Sequence, residues 1–113
     1  MTNTNTSEAS FSCEVEGSVE DGVKVTTVRC HGRLTNQTAG EVKAIVKPLI
    51  PQGGLIEIDL TDVSHLDSSG LGTLVGLKVS SLHEGYCTLK LVNLTPRITE
   101  LMKLTNLTQL FSS

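Results

Sequence analysis

The segment Leu55-Ile56-Glu57-Ile58-Asp59-Leu60 constrains the fold more than any other part of the chain. It is short, mostly apolar and preceded by the turn-like Pro51-Gln52-Gly53-Gly54, the pattern of a strand covered on both faces inside an α/β sheet. The chain then runs through Thr61-Asp62-Val63-Ser64-His65-Leu66 into Asp67-Ser68-Ser69-Gly70-Leu71-Gly72. From there Leu71, Leu74, Val75, Val79 and Leu82 recur at helical spacing, and Gly85 stands where a helix stop belongs. A strand that delivers the chain into a helix N-terminus is the unit at whose carboxyl end open α/β sheets place their ligands.

The flanking segments extend this pattern. From Ser10, Phe11, Cys13 and Val15 alternate with Ser12, Glu14 and Glu16, a half-buried strand. Glu20-Asp21-Gly22 is a turn, and Val23, Val25, Val28 and Cys30 form a second strand whose phase slips near Thr26-Thr27, as at a bulge. Gly32 to Gln37 reads as a polar loop, and Thr38-Ala39-Gly40-Glu41 as a capping box. The helix it starts carries Val42, Ile45 and Val46 and ends before Pro48. Thr88 to Val92 is a further strand. Thr95-Pro96 opens a last helix with Ile98, Leu101, Met102 and Leu104 inward, and Leu107, Leu110 and Phe111 close one edge of the core. Residues 1–9, rich in Thr, Asn and Ser, read as a flexible tail before one domain at 10–113. The order strand, strand, helix, strand, helix, strand, helix predicts a single α/β domain: a mixed sheet, opened by a hairpin, with helices packed on it.

Composition narrows the function. With only Phe11, Phe111 and Tyr86 as aromatics among 113 residues, the core is aliphatic and no stacking platform for single-stranded nucleic acid exists. A net charge of -3 without a Lys/Arg run argues against a phosphate-backbone partner. No apolar stretch approaches the ~20 residues of a membrane span, and the polar N-terminus is not a secretory signal, so a cytoplasmic protein without membrane insertion is expected. Cys13, Cys30 and Cys87 form no C-x-x-C pair; reduced, buried thiols are the expectation, with no metal site.

Two readings fit Asp67-Ser68-Ser69. One of these residues caps the helix, as Asp and Ser commonly do; or a hydroxyl there accepts a phosphate that the free N–H groups and macrodipole of the helix would hold. Both are compatible with the same letters. Enzymatic motifs fit poorly. Gly70-Leu71-Gly72-Thr73-Leu74-Val75-Gly76 sets its third glycine one place too late for G-x-G-x-x-G, and no Gly-Lys-Ser/Thr ending is present. Leu66-Asp67-Ser68-Ser69-Gly70 lacks the first glycine of a nucleophile elbow, and His65, His31 and His83 are not motivated as bases by spacing.

The run from Leu55 to Gly72, with Asp-Ser-Ser-Gly-Leu-Gly at its end, resembles STAS domains, above all the bacterial anti-sigma-factor antagonists. The resemblance extends over nearly the whole chain from about Phe11. It takes in Gly32-x-Leu34, Leu91-Val92-Asn93-Leu94 with Pro96, and Leu104-Thr105-Asn106-Leu107 followed by Leu110-Phe111. It implies partner switching without a cofactor of the chain's own. The unphosphorylated protein would bind an anti-sigma factor that is also a serine kinase of the histidine-kinase-like ATPase fold, releasing a sigma factor. The kinase, which brings its own ATP and Mg²⁺, would phosphorylate Ser68, with Ser69 as a fallback acceptor, and a PP2C-type phosphatase would reverse the modification. Arg33, Thr35, His65, Asp67, Ser68, Ser69, Gly70 and Leu71 are the partner-binding positions so implied.

The chain departs from the family where many members carry Gly-Glu-Leu-Asp, having Gly32-Arg33-Leu34-Thr35 instead. This places a cation where a carboxylate is usual, either meeting an acidic partner surface or a phosphate on Ser68, or simply solvated while Thr35 turns the loop. Asn106 stands where Gly is common and tolerates left-handed geometry. The alternatives are a STAS subunit for another client (a lipid-transport ATPase, a stress-signalling scaffold or an adenylyl-cyclase regulator) and a small hydrolase using Ser68.

Overall fold

The computed structural model describes residues 11–112; the tail expected at 1–9 and the strand start at Ser10 lie outside them. Phe11–Glu20 (β1) and Val23–Leu34 (β2) pair as an antiparallel hairpin. Its turn residues Asp21 and Gly22 have φ of 53° and 80°, the left-handed pair that suits a tight hairpin. Ala39–Val46 (α1) and a 3-10 segment, Lys47–Gln52, lead to Gly54–Leu66 (β3); Ser68–Glu84 (α2) leads to Cys87–Val92 (β4); Pro96–Leu104 (α3) and Thr108–Ser112 (α4) follow. Among the described residues the sheet has 4 strands in the order β1-β2-β3-β4, with β3 parallel to both β2 and β4. Both parallel steps move across the sheet in the same direction, which lays α1 and α2 on the same face.

That face is the core. Val28 and Cys30 of β2, Ile56, Ile58 and Leu60 of β3 and Leu89 and Leu91 of β4 are buried against Val42, Leu74, Ile98 and Met102 of the helices. The opposite face is charged. Arg29 pairs with Glu16 at 2.9 Å and approaches Asp59 at 3.9 Å. Cover on both faces of β3, expected from its apolar letters, is therefore overturned: Ile56, Ile58 and Leu60 alternate with Glu57 and Asp59, an ordinary one-sided pattern.

On the charged face His31 spans three strands. Its Nε2 lies 2.9 Å from Glu14 Oε1 on β1 and its Nδ1 2.8 Å from Asp62 Oδ2 on β3. The hydrogen bond to Glu14, then that to Asp62, raises the imidazole above its ordinary value of 6.5. A raised value in the folded state means that the stabilisation is complete below about pH 6.5 and fades as pH rises through the folded-state value. The stability difference between wild type and His31→Gln is thus largest near about pH 5.5 and shrinks by about pH 8.5, as urea titrations at the two pH values would show. A difference independent of pH would mean that the imidazolium is not clasped.

Other expectations change in the structure. The β1–β2 register is regular through Thr26-Thr27. Thr26, 6% exposed, simply occupies a core position, and the irregularities fall instead between Arg29 and His31 and between Gly32 and Arg33 against β3. The Gly32–Gln37 loop begins later, because β2 continues to Leu34, whose side chain is buried, and β3 likewise continues to Leu66. The capping box does not form: Thr38 Oγ1 donates to Arg33 O at 2.5 Å and accepts from Thr35 N at 3.0 Å, so the hydroxyl is spent on the loop before α1. The helix does end before Pro48, but the chain continues as a 3-10 turn through Pro48 and Pro51 to Gly53. Within α2, Val79 and Leu82 are exposed, and the inward face is Leu71, Leu74, Leu77, Lys78 and Ser81. Leu104 is 74% exposed, not inward. Thr95 does cap α3, accepting from Ile98 N at 3.2 Å, Gly85 ends α2 with φ 74°, and Asn106 takes φ 60°.

Lys78 was hidden by its charge. It is 1% exposed, its stem fills the layer between α2 and β4, and its Nζ donates to Leu89 O at 2.8 Å. Burial pulls its ammonium below the ordinary lysine range. Lys78→Ala removes packed methylenes and strands a strand carbonyl, with an expected loss of about 2–3 kcal/mol, measurable by chemical denaturation. A loss no larger than that of a surface lysine would contradict this packing role.

Candidate functional site

The carboxyl ends of β2 and β3 lie side by side, with Arg33 opposite His65 and Leu34 opposite Leu66. Both chains then turn toward helices. Asp67 joins the two turns. Its backbone is extended (φ -102°, ψ -177°), its Oδ1 accepts from Gly70 N at 2.9 Å and its Oδ2 from Asn36 N at 3.0 Å. Its own N–H donates to Leu34 O at 3.4 Å, and its carbonyl accepts the first helical bond, from Leu71 N at 2.9 Å. The Gly70 hydrogen bond foremost, then that of Asn36, holds the carboxylate below its usual range. Asp67 is therefore the helix cap and also the tie to the loop before α1.

This frees Ser68. As the first residue of α2 it is exposed, and its hydroxyl makes no hydrogen bond among the described residues. Ser69 is half-buried and its Oγ donates to Asn36 Oδ1 at 3.5 Å. An anion on Ser68 would stand at the N-terminal end of a helix of 17 residues, whose macrodipole favours negative charge.

The positions singled out in the sequence divide by burial. Arg33, His65 and Ser68 reach the surface, while Thr35, Asp67 and Ser69 are half-buried. Gly70 and Leu71 are buried, Leu71 in the core at 8% exposure, so they are placed to support the loop beneath the surface. Thr35 shapes the approach to α1, its carbonyl accepting from Thr38 N and Ala39 N at 3.0 and 2.8 Å. His65 Nδ1 lies 3.2 Å from Ser64 Oγ, and both nitrogens of His31 are engaged by carboxylates.

Sequence reading missed two features. Asn36 contacts both Asp67 and Ser69, although 31 and 33 residues away in the chain; nothing local in the sequence signals that contact. Beside the site, between β3 and α3, runs a groove of about 500 Å³ lined by His65, Leu66, Pro96, Arg97, Leu101 and Leu104. Leu104, expected inward from its spacing, stands exposed at its rim.

Comparison with known proteins agrees with this architecture. The family described as "Mlab, STAS domain" matches residues 18–112. The anti-sigma-B factor antagonist of Bacillus subtilis is 36% identical over 80 residues, covering 71% of this chain and 72% of the relative. That of Listeria monocytogenes is 35% identical over 80 residues, covering 70% and 69%. Among solved structures, the Bacillus cell-fate determinant SpoIIAA in its phosphorylated form superposes with a TM-score of 0.65 at 20% identity, over 87% of this chain and 86% of that one, which shows a shared fold. With the sheet order, the Asp67–Gly72 helix entry and these matches in agreement, the chain belongs to the STAS domain family and is a relative of the bacterial anti-sigma-factor antagonists.

Proposed function

We propose that this chain is an anti-sigma-factor antagonist that works by partner switching in the cytoplasm. In its unmodified state it binds an anti-sigma factor, a serine kinase of the histidine-kinase-like ATPase fold, and so releases a sigma factor. Phosphorylation of Ser68 by that kinase ends the complex, and a PP2C-type phosphatase restores it. The observation that carries the reading is the division of labour at the helix entry: Asp67 takes both the cap and the loop tie, leaving an exposed hydroxyl at Ser68. The relatives named as anti-sigma-B factor antagonists support the pathway, and SpoIIAA, an anti-sigma factor antagonist of the same fold, exists in phosphorylated and unphosphorylated forms. Arg33, with His65 opposite it in the strand register, forms the edge of the docking surface and Thr35 and Ser69 its flank, so the partner surface facing the Arg33 guanidinium is acidic. A serine-hydrolase role is disfavoured, because His65 is turned to Ser64 and a nucleophilic serine needs a base within reach of its hydroxyl.

The test is affinity capture from the native cytosol with wild type, Ser68→Ala and Ser68→Asp as baits. Recovery of one kinase by the first two and not the third supports the proposal. Capture of a transporter ATPase indifferent to residue 68 would move the function to a STAS subunit of a lipid-transport system, a reading kept open because the matching family is defined by its domain and not by sigma-factor control.

A further inference from the structure

Away from the Ser68 surface, the hairpin brings together two cysteines that the sequence keeps 17 residues apart. Cys13 and Cys30 are directly opposed in the antiparallel register of β1 and β2, and their sulfurs lie 3.9 Å apart. Directly opposed residues of such a pair have Cα atoms about 4.5–5.5 Å apart, within the roughly 4.4–6.8 Å span of a disulfide. Closing the gap to a bonded S–S distance of about 2.05 Å thus calls for side-chain rotation and no movement of the strands. We propose that Cys13 and Cys30 are a redox-modification site, which a hydroperoxide converts into a reversible disulfide fastening β1 to β2.

The two thiols differ in the way such a reaction requires. Cys30 is 1% exposed and sits in the core, whereas Cys13 is half-buried on the outermost strand, with exposed Val15 two positions along. Cys13 is therefore the sulfur a small oxidant reaches. The hydrogen bond between the sulfurs favours the Cys13 thiolate and pushes Cys30 up, with burial adding to the latter, so the accessible sulfur is also the nucleophile. The Cys13 thiolate attacks one oxygen of hydrogen peroxide, breaking the O–O bond and expelling hydroxide, and becomes a sulfenic acid. Cys30 then attacks that sulfur, forming the S–S bond; its proton leaves with the sulfenic hydroxyl as water. Overall two thiols lose two electrons and peroxide becomes two waters. Cys87, the remaining thiol, lies on β4 at the other edge of the sheet and cannot take either role.

The test uses the full chain, reduced, treated with hydrogen peroxide and analysed intact and by non-reducing peptide mapping. Wild type and Cys87→Ser should each lose about 2 Da as monomers, give a single linked peptide pair containing Cys13 and Cys30, melt about 10 °C higher, and revert with dithiothreitol. Cys13→Ser, a near-isosteric change at a half-buried position, should show neither the link nor the rise in melting temperature. Oxidation of Cys13 to sulfinic acid with Cys30 still free, or linkage only through Cys87 between chains, would overturn the proposal. So would an unchanged thiol count under conditions that oxidise an unfolded control.

Discussion

Gly70→Ala collapses the helix entry, with an expected loss of about 3 kcal/mol or more and a melting temperature lower by roughly 10–20 °C. Gly70 does not adopt positive φ, so conformational freedom is not what the position demands. A Cβ there would lie on the Leu34 carbonyl oxygen and 2.9 Å from Leu66 Cδ1. That carbonyl already accepts from Asp67 N, and backbone at the end of a central strand has nowhere to retreat. The first turn of α2 would have to lift from β2, breaking the Asp67 tie with it. Gly72 is the control. It is exposed in the same helix, and a Cβ added there would meet nothing within 4 Å, so Gly72→Ala should be neutral or stabilise by up to about 1 kcal/mol. Thermal and urea melts of the two variants separate close approach from mere glycine content, and equal effects would refute the account.

The second large effect concerns Ser68. In binding measurements with the captured kinase, Ser68→Ala should stay within about threefold of wild type, while Ser68→Asp or the phosphoprotein should bind at least about 100-fold more weakly, about 2.7 kcal/mol. Phosphorylation adds roughly -1.5 to -2 charge next to the Asp67 carboxylate, and the acidic partner surface proposed opposite Arg33 would repel it. The helix N-terminus accommodates the same charge within the domain, so the fold need not change. Amide spectra of modified and unmodified protein should therefore superimpose except in 33–37 and 65–71. Shifts spread through β4 and α3 would show a conformational switch instead, and incorporation of phosphate into Ser68→Ala would move the acceptor to Ser69.

Local chemistry carried much of this protein in its sequence. The hairpin turn at Asp21-Gly22, the cap at Thr95 with Pro96, the stop at Gly85 and the left-handed Asn106 each depend on one or two residues' own backbone preferences, and each is found where the letters put it. The α/β order and the helix entry at Asp67 to Gly72 were legible for the same reason. Errors came where a side chain has more than one partner to choose from. Thr38 has the sequence of a helix cap, yet it bonds Arg33 and Thr35 because β2 runs on and brings that carbonyl within reach. Lys78, which no local pattern of the sequence singles out, has its stem packed and its ammonium on a strand carbonyl.

Long-range register decided the rest. Only the parallel pairing of β2 with β3 sets Arg33 beside His65 and Asn36 against Asp67, and only the antiparallel pairing of β1 with β2 sets Cys13 against Cys30. By itself the sequence determined the order of strands and helices and placed the entry of α2 within Asp67-Ser68-Ser69, since turn, cap and periodicity are local energies. Tertiary structure alone decided which residues separated in the chain share a surface, a hydrogen bond or a pair of thiols, because strand register is settled by the burial of whole faces at once.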